Sequence, residues 1–264
     1  MDLLEALQQR VLPGDGAMGT LLFERGVARD ACLEELCASH PELVGGIHRE
    51  YVAAGARVIR THSFGSNAIR LSASGNGKRV GELNWLAGRI ARDAVKGSGA
   101  LVAACVGPTG EPDRADLRSI FEEQIGGLLE SGADFVLLET FTDLRELLVA
   151  VEAKHSLHHC PVVASLACAE GAWVQRAFSE LRAAGADVVG VNCIDPKAAR
   201  TVLEGIEMAE PVSAFPSAGL PQEVLTPSEF AAGALALVER GVRLIGGCCG
   251  ATPAHIAALT EALA

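Results

Sequence analysis

The chain repeats a short pattern of hydrophobic and polar positions: a helix-like segment, a glycine, an apolar run, and then a polar or sulfur-bearing residue. Each glycine fits a helix C-cap. Each apolar run is short and rich in branched side chains, as expected for a strand that is buried on both faces. The pattern therefore predicts four helix-to-strand connections, which lie at 54–62, 131–139, 184–193 and 240–249.

Four further apolar runs lie between these copies, and helical stretches such as 117–129 and 227–238 separate most of the runs. Eight strand–helix units in about 250 residues are typical of a (β/α)₈ barrel. A doubly wound open sheet shares the same local signal, but no Gly-x-Gly-x-x-Gly follows the first strand. No linker divides the chain, so we expect one α/β domain, a TIM barrel over residues 1–264. The further strands are predicted at 11–14, 100–106, 161–167 and 211–215.

The barrel prediction places the site at one mouth, because active sites of such barrels lie at the C-terminal ends of the strands. Counting seven residues from each repeat glycine reaches a polar or sulfur-bearing side chain, and one further step reaches another. We therefore expect these side chains to share one mouth. They are His62, Glu139, Asn192 and Cys248, followed by Ser63, Thr140, Cys193 and Cys249.

Composition and charge exclude several classes of partner. Lys and Arg total 22 against 33 Asp and Glu, a formal net charge of −11, which argues against nucleic acid. No apolar run approaches the length of a membrane span, so no membrane partner is expected. Residues 1–10 read as an amphipathic helix without the features of a signal peptide. We expect a cytoplasmic protein whose eight cysteines are reduced.

Cys248 and Cys249 are adjacent in a glycine-rich turn after the last apolar run, and Cys193 ends another such run. Zinc takes thiolate ligands readily, and a catalytic zinc site typically has three protein ligands and a fourth position that is open. The alternative is three buried structural cysteines, since free cysteine is often buried. We predict one zinc ion on Cys193, Cys248 and Cys249. The other cysteines have no such setting and are interpreted as core or surface residues: Cys32, Cys37, Cys105, Cys160 and Cys168.

Two carboxylates also fall at the predicted mouth. Asp15 lies in the glycine-rich segment 14–20 after the first strand, where it could equally cap a helix. Glu139 ends an apolar run, and a buried carboxylate needs a partner or a ligand. Together they could hold the ammonium group of an amino acid.

Three further groups are weaker candidates. His155, His158 and His159 with Cys160 precede a strand, so we expect a solvated loop on the opposite face. The segment 107–110 follows the third strand and is explained equally well as a simple turn or as a ligand contact. His62 could be a spare ligand or a proton carrier.

With these residues, the chain resembles the homocysteine S-methyltransferase family. That family includes betaine– and S-methylmethionine–homocysteine methyltransferases and the homocysteine module of cobalamin-dependent methionine synthase. The most specific matches are Gly-Gly-Cys-Cys-Gly-Ala-Thr-Pro and Gly-Val-Asn-Cys. The matching stretches run in family order, at 15–20, 61–67, 107–110, 132–140, 190–193, 216–221 and 246–253.

The resemblance implies a (β/α)₈ barrel with zinc on Cys193, Cys248 and Cys249, and homocysteine as the thiol substrate. It also implies that Asp15 and Glu139 lie near the substrate amino group. Four motif residues are expected to bind substrate with them, and three more are candidates. The four are Ala17, Met18, Thr140 and Asn192, and the three are His62, Ser63 and Ser217.

The implied activity is methylation of homocysteine, bound as a zinc thiolate, to methionine. The donor is either a small molecule, S-methylmethionine or betaine, or methylcobalamin on a partner protein, because the chain has no separate folate or cobalamin module. One Tyr, two Trp and eight Phe supply few aromatic rings for a cage around an onium methyl group, which favours the protein partner slightly.

Two departures from the family pattern leave an alternative open. Ser217 stands where the methionine synthase pattern has an asparagine that is thought to contact zinc without substrate, and the segment 167–173 is short. A non-catalytic regulatory protein that binds homocysteine or zinc is therefore the alternative function. A metal-free aldolase is the third choice, because no lysine ends any of the eight predicted strands.

Overall fold

The computed structural model describes residues 2–206, 208, 210–220 and 223–264. Eight parallel strands form one sheet in the order β1-β10-β7-β6-β5-β4-β3-β2. The strands are β1 (Leu12–Pro13), β2 (Val58–Arg60), β3 (Leu101–Val106), β4 (Phe135–Phe141), β5 (Val162–Leu166), β6 (Val188–Asn192), β7 (Val212–Phe215) and β10 (Val242–Ile245). An antiparallel hairpin of β8 (Gly219–Leu220) and β9 (Glu223–Val224) interrupts the alternation between β7 and β10.

The sheet closes on itself between its first two strands. A parallel bridge joins Gly14 to Val58. Two hydrogen bonds reinforce it, from Asp15 N to Val58 O at 3.0 Å and from Arg57 N to Pro13 O at 2.7 Å. The predicted (β/α)₈ barrel is confirmed, and the open doubly wound sheet is excluded.

Helices cover the outside of the barrel and follow the strands along the chain. The predicted helices 117–129 and 227–238 each extend slightly further than expected. The helices are α1 (Leu3–Gln9), α2 (Met18–Glu24), α3 (Leu36–Ser39), α4 (Pro41–Ala53), α5 (Ala68–Ser72), α6 (Val80–Ala94), α7 (Leu117–Glu130), α8 (Leu144–His155), α9 (Gly171–Ala183), α10 (Pro196–Glu204), α11 (Pro227–Arg240) and α12 (Pro253–Ala262).

The repeat glycines end helices as predicted. Gly55, Gly132, Gly185 and Gly241 have φ angles of 97°, 96°, 98° and 118°, the left-handed region in which glycine is least strained. Each turn sends the chain into the next strand, so the repeat in the sequence is the repeat of the barrel.

The core has two layers. One packs the outward-facing strand residues against the helices. The other fills the barrel interior, where Leu3 and Leu7 of α1 pack with inward-facing residues such as Phe135 and Leu244. Helix α1 therefore closes the N-terminal end of the barrel. Met1, the first residue of the predicted helix 1–10, lies outside the described residues.

Two details of the strands differ from the prediction. Strand β4 continues through Glu139 and Thr140 to Phe141, with a bulge between Leu138 and Phe141. The short hairpin β8–β9 has no counterpart in the periodic pattern, because two-residue strands carry no alternation that could be read. Among the described residues, no helix combines the length and the apolar character needed to span a bilayer.

Candidate functional site

A cavity of about 820 Å³ opens at the C-terminal ends of the strands. Its walls come mainly from the C-terminal ends of β2, β3 and β4, from the segments after β1, β2, β6 and β10, and from the hairpin β8–β9, as expected for the mouth of a barrel. Of the twelve residues predicted for the site, all but Asn192 and Ser217 line this cavity. The ten that do are Asp15, Ala17, Met18, His62, Ser63, Glu139, Thr140, Cys193, Cys248 and Cys249.

The thiols of Cys193, Cys248 and Cys249 meet at the cavity wall. Their sulfur atoms all lie within 4.8 Å of one another, and those of Cys193 and Cys249 are 3.6 Å apart. Zinc–sulfur bonds of about 2.3 Å in a tetrahedron place two sulfurs about 3.8 Å apart. The trio fits zinc in both ligand type and spacing. Among the described residues, no other group of His, Cys, Asp and Glu side chains meets in this way.

Backbone geometry brings adjacent cysteines to one point. Cys193 has φ of 59°, a left-handed conformation that turns the chain as β6 ends. Its N–H donates to Phe215 O at 3.0 Å, and the N–H of Cys248 donates to Pro216 O at 2.8 Å. Gly250 then reverses the chain with φ of 76°. These bonds tie the ends of β6, β7 and β10 together beneath the three sulfurs.

Ser217 supports the cysteine loop and does not line the cavity. Its hydroxyl donates to Cys249 O at 3.1 Å and accepts from Gly219 N at 3.1 Å. The hydrogen bond from Ala218 N to Cys249 O, at 2.8 Å, reinforces the same contact. Pro221, the last residue of the motif 216–221, lies outside the described residues.

Hydrogen bonds among the three metal-free sulfurs separate their pKa values. Those from Cys193 and Cys248 lower the pKa of Cys249 to about 3. At Cys193, the hydrogen bond with Cys248 lowers the pKa. The hydrogen bond with Cys249 and burial outweigh it and raise the pKa of Cys193 to about 11. The hydrogen bonds to Cys193 and Cys249 raise the pKa of Cys248 well above its usual value. One thiolate and two thiols therefore make up the metal-free trio near neutral pH.

Arg60, which sequence reasoning missed, lies between the two predicted carboxylates. Its Nε donates to Asp15 Oδ1 at 2.7 Å, its backbone N–H to Asp15 Oδ2 at 2.9 Å, and its Nη1 to Glu139 Oε2 at 2.8 Å. Burial disfavours its charge, yet Glu139 and Asp15 raise the pKa of Arg60 well above its usual value, so it is a cation. The available signal was a lone arginine in an otherwise apolar strand, which requires anionic partners.

Cys105, interpreted from the sequence as a core or surface residue, is buried in the core and also lines the cavity. Its thiol donates to Glu139 Oε1 at 2.8 Å. Burial, followed by the charge of Glu139, raises the pKa of Cys105 well above its usual value, so the thiol keeps its proton. The two oxygens of Glu139 are therefore shared between Arg60 and Cys105. The position of Cys105 near the end of β3 could have indicated this role.

Asn192 reaches the site through Thr140. Its side chain is fully buried and does not line the cavity. Its Oδ1 accepts from Thr140 N at 2.9 Å, and its Nδ2 donates to Thr140 Oγ1 at 2.6 Å. Thr140 has φ of 66°, so the pair holds a strained backbone at the bulge that also positions Glu139.

The remaining predicted residues are held by backbone contacts. His62 Nε2 lies 2.7 Å from Leu33 O, and burial lowers the pKa of His62, so the imidazole is neutral near pH 7. The hydroxyl of Ser63 donates to Cys105 O at 2.7 Å. Tyr51 OH bonds Ala17 O at 2.9 Å, which fixes the segment that carries Ala17 and Met18.

Of the three weaker candidates, only His62 lines the cavity, and the other two groups are not brought to the site. His155 ends α8, and neither it, His158 nor His159 lines the cavity. The turn 107–110 does not line the cavity either, and Thr109 N donates to Glu146 Oε1 of α8 at 2.7 Å. That turn therefore leads from β3 toward α7 and is anchored to α8 by this hydrogen bond.

Comparison with known proteins places these features in a family. The homocysteine S-methyltransferase family model matches residues 12–263. Methionine synthase of Mycobacterium tuberculosis is 33% identical over 311 aligned positions, which cover 100% of this chain and 25% of that protein. Betaine–homocysteine S-methyltransferase 1 of Mus musculus is 31% identical, with 96% of this chain and 72% of that protein covered. The chain therefore spans about a quarter of the length of the methionine synthase that it matches.

Solved structures of a homocysteine methyltransferase are also similar to this chain. The homocysteine methyltransferase MmuM of Escherichia coli, in its metallated form, superposes with a TM-score of 0.84 at 25% identity, covering 98% of this chain and 99% of that one. The same enzyme in an oxidized form gives a TM-score of 0.84 at 26% identity, covering 98% of each chain.

Proposed function

This chain belongs to the homocysteine S-methyltransferase family, and we propose that it methylates homocysteine to methionine at a zinc site formed by Cys193, Cys248 and Cys249. The observation that carries the proposal is the meeting of three thiols within 4.8 Å at the wall of a barrel cavity. Thiolates are soft ligands that suit zinc, and the metallated form of a structural relative supports a metal.

The thiolate form of a thiol is the nucleophile, and most thiols are protonated near neutral pH. Bound zinc supplies the positive charge that deprotonates a coordinated substrate thiol. The protein contributes the position of that sulfur, because Cys193, Cys248 and Cys249 come from two strand ends tied by backbone hydrogen bonds. Cys193, Cys248 and Cys249 would hold the zinc at the cavity wall, and three protein ligands would leave a fourth position for the substrate thiol.

The rest of the substrate lies in the cavity. A volume of about 820 Å³ exceeds what homocysteine fills, so a methyl donor can approach the same sulfur. We assign contacts with the amino-acid portion to Ala17, Met18 and Thr140, which line the cavity. Asp15 and Glu139 lie on the wall near the amino group, with their charge partly neutralised by Arg60. Asn192 positions Thr140, and Ser63 and His62 form part of the cavity wall.

We favour a methyl-corrinoid carried on a protein as the donor. The two Phe side chains at the cavity each have a guanidinium over the ring, Arg29 at 5.0 Å from Phe23 and Arg70 at 5.5 Å from Phe64. A ring face that already holds a cation is poorly placed to bind an onium methyl group. The similarity to methionine synthase supports the same choice.

Methionine formation tests the proposal. We would incubate the zinc-loaded protein with homocysteine and, separately, methylcobalamin, S-methylmethionine or betaine, and measure methionine by mass spectrometry. The expected result is methionine from methylcobalamin and little from the two onium donors. Faster turnover with S-methylmethionine or betaine would overturn the choice of donor. Binding of homocysteine without methionine from any donor would favour a non-catalytic homocysteine-binding protein.

A further inference from the structure

Arg60 occupies the acidic groups that an amino-acid substrate would use. Its side chain is 9% exposed, and those of Asp15 and Glu139 are 5% and 7% exposed. Every carboxylate oxygen of the pair already accepts a hydrogen bond from the protein. Asp15 accepts two from Arg60, and Glu139 accepts one from Arg60 and one from Cys105.

The guanidinium is held in place from its other side. Nη2 of Arg60 donates to Gly16 O and to Gly247 O, both at 2.7 Å. The guanidinium carbon also lies 4.8 Å from the centroid of the Phe215 ring. These contacts come from the loops after β1 and β10 and from the end of β7. The Arg60 side chain therefore cannot change its rotamer without losing contacts to three elements at the barrel mouth. An ammonium group must therefore share the carboxylates with a fixed cation.

The net charge of these three side chains determines how strongly they attract an ammonium group. Two carboxylates and one guanidinium leave a net charge of −1 where two free carboxylates would give −2. The attraction for an added ammonium follows the net charge, and the fixed guanidinium also repels a second cation at close range. Each carboxylate oxygen keeps a lone pair beyond the one that already accepts a hydrogen bond, so the ammonium can bind, but it gains less than it would beside two free carboxylates.

We propose that Arg60 is a specificity-determining residue that lets the site accept thiols without an α-ammonium group. The substrate class is then alkyl thiols of the length of homocysteine, selected mainly by sulfur and chain length. This inference rests on the proposed function, since it needs a thiol bound at the cysteine trio. Arg60 acts on the amino-acid end of the substrate, and it is not one of the three candidate metal ligands.

Binding of two matched thiols tests the proposal without methyl transfer. Homocysteine and 4-mercaptobutanoate have the same carbon chain, thiol and carboxylate, and differ in the amino group. Cobalt(II) in place of zinc reports thiolate coordination through its absorption bands. For the unmodified protein, we expect the dissociation constants of homocysteine and 4-mercaptobutanoate to lie within tenfold of each other. A preference for homocysteine of tenfold or more would overturn the inference and leave the proposed function standing. If neither thiol changes the spectrum, both the inference and the proposed function are overturned.

Two variants locate the effect. Arg60→Gln frees the carboxylates from their cation, and the preference for homocysteine should increase at least tenfold. Glu139→Gln removes a carboxylate that Arg60 already pairs with, so the ratio of the two dissociation constants should stay within tenfold. A selective loss of homocysteine binding would contradict the inference even if Arg60→Gln fails to fold. Arg57→Gln is the matched control. Arg57 precedes the same strand at the opposite end of the barrel, where it donates to Ser98 O at 3.1 Å. The control should keep the ratio of the unmodified protein.

Discussion

Asn192 holds Thr140 by two hydrogen bonds, from Thr140 N to Asn192 Oδ1 at 2.9 Å and from Asn192 Nδ2 to Thr140 Oγ1 at 2.6 Å. The pair links the end of β6 to the bulge of β4, next to both Cys193 and Glu139. A fully buried amide on one strand therefore fixes the left-handed backbone of the neighbouring strand.

Asn192→Ala tests this link. The variant leaves Thr140 N without an acceptor inside the barrel, so the free energy of unfolding should fall by about 1–3 kcal/mol. Asn192→Asp keeps the acceptor for Thr140 N and should retain part of that stability. Urea denaturation measures the difference. Equal stability of the alanine variant and the unmodified protein would show that the pair is unimportant to the fold.

Gly250→Ala tests the turn behind the cysteines. Gly250 has φ of 76°, and an added Cβ would lie 2.5 Å from Gly219 O. Gly97 has φ of 79° with no atom within 4 Å of an added Cβ, so Gly97→Ala is a matched control. The control should lose about 1–2 kcal/mol of stability from the left-handed conformation alone. Gly250→Ala should lose more and should bind zinc at least tenfold more weakly in a chelator competition. Equal effects of the two variants on zinc affinity would contradict this account of the turn.

Zinc affinity should increase with pH. The raised pKa values of Cys193, about 11, and of Cys248 keep both thiols protonated between pH 6 and 8, while the lowered pKa of Cys249, about 3, keeps it ionised. Zinc binds thiolates, so binding must release two protons. The apparent association constant should then increase about 100-fold for each pH unit in that range, which follows from two released protons. Competition with a chelator of known pH dependence measures this slope, and a pH-independent affinity would show that all three sulfurs are already ionised.

Cys105→Ala separates the fourth cavity cysteine from the ligand set. Cys105 donates to Glu139, and it is absent from the group of sulfurs that meet. Zinc content should be unchanged, while the free energy of unfolding should fall by about 1 kcal/mol from the lost hydrogen bond. Elemental analysis and urea denaturation check both parts. Loss of zinc would make Cys105 a ligand.

The sequence predicted the barrel and the cysteine trio because both follow from one periodicity. The repeat glycines set the strand starts, and counts of seven and eight residues from them reach Cys193, Cys248 and Cys249 at one mouth. The role of Arg60 was not predicted, because a single apolar run in the sequence does not reveal which side chains face the barrel interior. Its partners, Asp15 and Glu139, are 45 and 79 positions away in sequence, and only the closed barrel brings them into contact.

The role of Asn192 was also beyond the sequence pattern. Its place at a strand end predicted a side chain in the cavity, but the structure turns it toward Thr140. That orientation depends on the bulge in β4, which has no periodic signature. Ser217 illustrates the same point, since its contact with Cys249 O follows from the chain path between β7 and the hairpin β8–β9.

The zinc content of the purified, reduced protein tests the central claim most directly. Elemental analysis should find about one zinc per chain, as three thiolate ligands require, and Cys193→Ala and Cys249→Ala should abolish it. Cys160→Ala is the control, because Cys160 precedes β5 at the opposite end of the barrel and should leave zinc unchanged. No zinc after reconstitution under reducing conditions, or equal zinc in all three variants, would contradict the three-cysteine site.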